Sequence, residues 1–124
     1  MDTSPLDALG LLDHDFDNNA VQCPVEEAMQ LLTGKWRMLV LYRLRKGPMR
    51  FNALQRSLAP VTQKVLTATL RGLESDGLLW REVRAEVPPH VIYGLTPFAA
   101  GAAPVFEAMA EWILRNKALE GATG

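Results

Sequence analysis

Between Met29 and Glu74 the chain carries nine basic side chains, Lys35, Arg37, Arg43, Arg45, Lys46, Arg50, Arg56, Lys64 and Arg71, and no acidic one. The formal net charge of the whole is only -1, so charge has been sorted along the chain rather than balanced locally. A one-signed block suits the binding of a polyanion. A structural helical surface would instead interleave acids for i, i+4 pairing. The chemistry on offer is therefore ionic and hydrogen-bonding capture of nucleic acid. Catalysis would need paired carboxylates, a nucleophile with its base, or metal ligands. The span from Ala28 to Leu73 has neither acid nor histidine, so no enzyme is expected. No metal or other cofactor is expected either, since the single cysteine, Cys23, has only His14 and His90 to join it.

Cys23 is the one residue with reactive potential. It sits just before Pro24, a favoured first helical residue, and a thiol at the positive end of a helix is a candidate nucleophile and sensor. Glu26 and Glu27 lie close by and oppose thiolate formation. A lone cysteine can equally be a small buried hydrophobe.

The elements that must position these residues are legible from periodicity and punctuation. A first helix opens at Pro24, runs to about Leu32 and stops at Gly34. A second spans Lys35 to Arg45, with Trp36, Leu39, Val40 and Leu44 at the spacing of a buried face, and ends at Gly47-Pro48. A short third runs from Phe51 to about Leu58, burying Phe51, Leu54 and Leu58. Thr62 is an N-cap for a fourth, Gln63 to about Asp76, with Val65, Leu66, Thr69, Leu70 and Leu73 as its apolar stripe. Leu78 to Glu86 and Val91 to Leu95 read as a two-stranded hairpin whose tip holds Val87-Pro88-Pro89-His90. A last helix is expected from Pro97 to about Leu119, with a break near Ala103 because Gly101 and Pro104 weaken its start.

Two helices joined by a tight Ala59-Pro60-Val61 turn, the second followed at once by a hairpin, compose a winged helix-turn-helix. The fold class expected is thus mainly α with a small β-hairpin wing. Gln63, Lys64, Thr67 and Arg71 lie on the polar face of the second of these helices and are the candidate base readers. Lys35, Arg37, Arg50 and Arg56, with Arg81, Arg84 and His90 on the wing, are the candidates for backbone phosphates. Lys35 and Arg37 flank a helix start, where the dipole disfavours cations and an external anion would relieve it. Arg43, Arg45 and Lys46 are expected to be solvated caps of the second helix. Val105, Phe106, Met109, Trp112 and Ile113 make the last helix apolar on more than one side, which suggests burial against a second chain.

These segments also carry a family pattern. Cys23-Pro24-Val25-Glu26, Gly34-Lys35-Trp36, Arg50-Phe51-Asn52-Ala53-Leu54, Gln63-Lys64-Val65-Leu66-Thr67, Leu70-Arg71-Gly72-Leu73-Glu74, Asp76-Gly77-Leu78, Arg81, Val87-Pro88-Pro89 and Tyr93-Gly94-Leu95-Thr96 resemble, in order and spacing, the HxlR family of bacterial winged-helix transcription regulators, similar in outline to MarR-type regulators. The resemblance covers about residues 22 to 115 and departs from the family after Thr96, where Pro97-Phe98-Ala99-Ala100-Gly101 replaces an acidic residue and Leu-Gly. It implies a winged helix that is dimeric through its terminal helices, a homodimer on a palindromic double-stranded operator. It also implies that Cys23 is a candidate sensor of oxidants or electrophiles, with a small-molecule effector as a further candidate partner. Repression is favoured on mechanism, because a dimer covering roughly 20 base pairs can exclude polymerase without further contacts. The rival reading is a winged helix used only for protein contacts.

At 124 residues with 48% hydrophobic content there is material for one core. Residues 1–20, with five acids and no Lys or Arg, are expected to form an acidic arm preceding a domain over 21–120. No run of about 20 apolar residues marks a membrane span and no secretory signal is apparent, so a cytoplasmic protein with no membrane partner is expected.

Overall fold

The computed structural model describes residues 23–123, and side-chain environments through 119. The acidic arm and its scattered leucines lie outside the described residues. The chain divides into two compact units, residues 1–32 and 33–124. Of the first, α1 (Pro24–Leu32) is described; Glu26 and Glu27 occupy its first turn, the Glu27 amide donates to the Cys23 carbonyl at 3.0 Å, and Val25 and Met29 are exposed.

The second unit runs α2 (Lys35–Leu44), β1 (Met49–Arg50), α3 (Phe51–Ser57), α4 (Gln63–Ser75), β2 (Leu79–Arg84), β3 (His90–Leu95), α5 (Pro97–Ala100) and α6 (Ala103–Thr123). The hairpin expected from the sequence is therefore incomplete: β1 adds to it, giving a three-stranded antiparallel sheet in the order β1-β3-β2. Met49 faces Tyr93 and Arg50 faces Ile92 across β1 and β3, while β2 and β3 pair from Leu79↔Leu95 to Arg84↔His90. Two residues after Gly47-Pro48 are too few to show alternation, which is why the third strand is invisible to pattern.

The core is built by leucines from three helices. Val40, Leu41 and Leu44 of α2, Leu54 of α3 with the following Leu58, and Leu66, Leu70 and Leu73 of α4 are buried, closed below by Leu78 and Leu79. The stripe on α4 is narrower than expected: Leu66, Leu70 and Leu73 are inside, but Val65 is 40% exposed. On α2 the buried face turns toward Leu41, leaving Trp36 and Leu39 half-buried, and Phe51 at the start of α3 is half-buried too.

The connection between α3 and α4 is tied from within. Val61 is buried, its amide donates to Leu58 at 3.0 Å, and the Gln55 side-chain amide donates to the Val61 carbonyl at 3.4 Å. The Thr62 hydroxyl then accepts from the Val65 amide at 3.1 Å, capping α4. At the other end Gly77 has φ 79°, the left-handed conformation that lets the Leu78 amide reach back to the Leu73 carbonyl at 2.9 Å. The Thr96 hydroxyl donates to the Gly77 carbonyl at 2.8 Å and accepts from the Ala99 amide, joining the end of α4 to the start of α5. The break expected near Ala103 falls at Gly101-Ala102, between α5 and α6.

Gly94 serves packing. It faces Trp80 across the sheet, and a Cβ built there would lie 2.2 Å from the indole, so the glycine is the seat of the Trp80 ring. Trp80 thus packs on the partner strand.

Candidate nucleic-acid interface

The exposed face of α4 presents Gln63, Lys64, Thr67, Ala68 and Arg71 along one shallow cleft of about 600 Å³. Their spacing, i, i+1, i+4, i+5 and i+8, is that of one helical face, set by the burial of Leu66, Leu70 and Leu73 opposite. No carboxylate lines this cleft. Neither Lys64 nor Arg71 has a carboxylate within 4.0 Å among the described residues, and the same is true of Arg50 and Arg56 beside α3. A helix face that offers an amide, a hydroxyl, an ammonium and a guanidinium, with no acid to repel phosphate, matches the donor and acceptor needs of base edges in a major groove.

Among the other basic residues, Arg37 departs from the sequence expectation. Arg37, expected at a phosphate, instead donates to Asp76 at 2.7 Å and fastens the end of α4 to α2. The room for it comes from Gly72, where an added Cβ would lie 3.1 Å from the Arg37 guanidinium. Lys35 remains exposed, its ammonium 4.7 Å from the centre of the Trp36 ring. Arg45 lies 3.8 Å from the Tyr42 ring and donates to the Tyr42 carbonyl, while Arg43 donates to Ser57. Both serve the end of α2.

The wing is close to charge-balanced. Arg81 pairs with Glu74 at 3.4 Å, and Arg84 with Glu82 at 3.4 Å and Glu86 at 4.0 Å. Its field toward DNA is accordingly weaker than two free arginines would give. His90 is not on the tip: it opens β3 opposite Arg84, its side chain is only 14% exposed, and its Nε2 lies 3.8 Å from Glu86. With so little of the ring exposed, it offers little surface for the phosphate contact expected of it. A cleft of about 610 Å³ lies between the tip and α3, lined by Arg50, Asn52, Arg56, Glu86, Pro89 and His90 among others.

Tyr93 is a residue that sequence reasoning passed over. It faces Arg81 across the strands and shares a cleft of about 190 Å³ with Thr67, Arg71, Glu74 and Arg81. Burial pushes its phenol above the usual tyrosine range, with Arg81 pulling down, Glu74 pushing up and Arg71 pulling down, so it is a hydroxyl donor at neutral pH. Only the β-register brings it to α4, and no motif spacing announces that.

The last helix divides the expected dimer residues. Phe106 is 6% exposed, stacked edge-on against Tyr42 with ring centres 6.1 Å apart, and belongs to the core of its own chain. Val105, Met109, Trp112 and Ile113 are outside, Trp112 at 69% and Ile113 at 46%, with Leu114 and Leu119 also exposed. An apolar groove of about 230 Å³ formed by Met38, Leu39, Tyr42, Phe106 and Met109 adjoins them. Among the described residues no helix is long and apolar enough to cross a membrane, and no group of three His, Cys, Asp or Glu is placed to hold a metal.

Helix, turn, helix and wing, with an acid-free face on the second helix, define a winged helix-turn-helix protein. The HxlR-like helix-turn-helix family model matches residues 31–120, and the chain belongs to that family of transcription regulators. It is 44% identical over 98 residues to an HTH-type transcriptional regulator of Methanothermobacter thermautotrophicus, covering 79% of this chain and 75% of that one. The redox regulator HypR in its reduced form superposes with a TM-score of 0.71 at 38% identity, covering 80% of this chain and 98% of the other. A MarR-family regulator of Porphyromonas gingivalis superposes with a TM-score of 0.75 at 29% identity, over 83% and 99%.

Proposed function

We propose that this regulator binds a palindromic double-stranded DNA operator as a homodimer in the cytoplasm, represses by occlusion, and carries no catalytic activity. The observation that carries the reading is the solvent-facing, carboxylate-free face of α4. Gln63, Lys64 and Thr67, in the first turns of that helix, reach base edges, because a recognition helix enters the major groove with its N-terminal residues. Arg50 and Arg56, without acidic partners among the described residues, and the exposed Lys35 supply phosphate contacts. Pairing through α6 sets two such helices about 34–36 Å apart, one turn of DNA. Met109, Trp112 and Ile113 are the residues exposed for that pairing.

Fluorescence anisotropy on a labelled duplex tests this. Affinity is expected to fall by about 10³-fold or more between roughly 50 and 200 mM salt if six or more phosphates are contacted. A flat salt response would favour the protein-contact reading.

Cys23 supports a second layer, a response to oxidants. It is a free, partly accessible cysteine beside the first turn of α1, and HypR, which this chain resembles, is a redox regulator. Treatment with diamide is expected to change operator affinity of the wild type and to leave Cys23→Ser unaltered. A non-reducing gel would then show whether the product is a cross-linked dimer, which requires the two Cα atoms within about 7 Å. Equal affinity before and after oxidation of the wild type removes the sensor role.

A further inference from the structure

We infer that Tyr93 and Arg71, with Arg81, form a socket for a single DNA backbone phosphate at the junction of α4 and the wing. The inference rests on the DNA-binding reading and changes the role of Arg71 within it. Arg71 lies eight residues beyond Gln63, about 12 Å along the helix axis from the end that meets base edges. At that height a side chain faces the wall of the groove. The structure places it in the cleft with Thr67, Glu74, Arg81 and Tyr93, where donors from one helix and two strands converge.

The charge count fits a phosphodiester. Two guanidinium groups and one carboxylate leave the cleft one positive charge in excess, which one phosphate would neutralise. Glu74 holds Arg81 at 3.4 Å, keeping the second guanidinium in place beside the first without an added anion. Tyr93 contributes a neutral hydroxyl donor on a rigid strand, cross-paired with Arg81, so its direction is fixed by the sheet rather than by a flexible stem. A charge-assisted bond from such a donor is short and directional.

The test compares Tyr93→Phe and Arg71→Gln with the wild type on an operator selected from random-sequence duplexes, on single-base variants of it, and on copies bearing one methylphosphonate at successive positions. Both substitutions are expected to weaken binding by roughly tenfold, by the same factor on every base variant. Arg71→Gln should also lower the salt slope by about 1. One methylphosphonate position should weaken the wild type most and each variant by a smaller factor, since each variant has already lost one of that phosphate's partners and keeps the others. Unaltered binding by both variants, or a loss on Arg71→Gln confined to one base pair, overturns the socket while leaving DNA binding intact. A wild type that selects no duplex overturns the DNA-binding reading and the socket with it. Equal thermal midpoints establish that the variants fold; should Tyr93→Phe not fold, the exposed Arg71→Gln carries the comparison alone.

Discussion

A double substitution, Trp112→Glu with Ile113→Glu, is expected to yield a folded monomer whose operator affinity is about 10²- to 10⁴-fold below that of the wild type. The fold should survive because neither side chain is part of the buried core of the single chain, Trp112 being 69% and Ile113 46% exposed. In the proposed dimer, what they lose is a partner. Val105, Met109, Trp112 and Leu119 recur at four, three and seven residues along α6, the spacing at which one helix packs along another. A run of exposed apolar side chains of that size is seldom left to water. Four like charges brought together across a two-fold axis would oppose pairing, and each half-site would then be held by one chain alone. Light scattering on the purified variant checks the first part, and anisotropy on the selected operator the second. A variant that still elutes and scatters as a dimer would place the interface elsewhere.

Leu70→Ala is expected to destabilise the protein by about 2–5 kcal/mol, whereas Val65→Ala, five residues earlier on the same helix, should cost within about 1 kcal/mol. Leu70 is 1% exposed at the centre of the leucine core, and truncating it leaves a cavity that α2 and α4 cannot both close. Val65 lies at the edge of the stripe, so truncation there removes surface. For a domain whose total stability is of the order of 5–15 kcal/mol, the first change consumes a large share. Urea unfolding should show a lower midpoint for Leu70→Ala at an unchanged slope, and DNA binding should fall with the folded fraction. Equal effects at the two positions would mean that α4 is rotated from the orientation described, and the base-reading face with it.

That rotation was legible in outline. Leu66, Leu70 and Leu73 recur at helical spacing, and Thr62 and Gly77 mark the ends, so α4 and its polar face follow from the amino-acid order. The same logic located the turn before it and the break before α6. Long-range pairing was not legible. Arg37 reads as a free cation at a helix start until Asp76, thirty-nine residues later, is seen beside it. Arg81 reads as free until Glu74, on the preceding helix, is placed against it. Charge patterning reports which signs are near in sequence, and ion pairs between elements depend on packing that a local window does not contain. Phe106 shows the same limit for apolar residues: the last helix is apolar on several sides, and only the position of Tyr42 decides which side is core. The missing strand and the position of His90 have one cause, a sheet whose register extends the wing further than its alternating residues announce.

The acid-free block therefore resolves into two populations. Arg37, Arg43 and Arg45 hold the scaffold, and Lys35, Lys46, Arg50, Arg56, Lys64 and Arg71 have no carboxylate within 4.0 Å among the described residues. The most direct measurement of the central claim is selection from a random-sequence duplex library by the wild type and by a Gln63→Ala, Lys64→Ala variant. The wild type is expected to enrich a palindrome with half-sites about one helical turn apart, and the variant to keep weak, salt-sensitive binding but lose that consensus. Recovery of the same palindrome by the variant, or of no consensus by the wild type, would contradict the assignment of the α4 face to base reading.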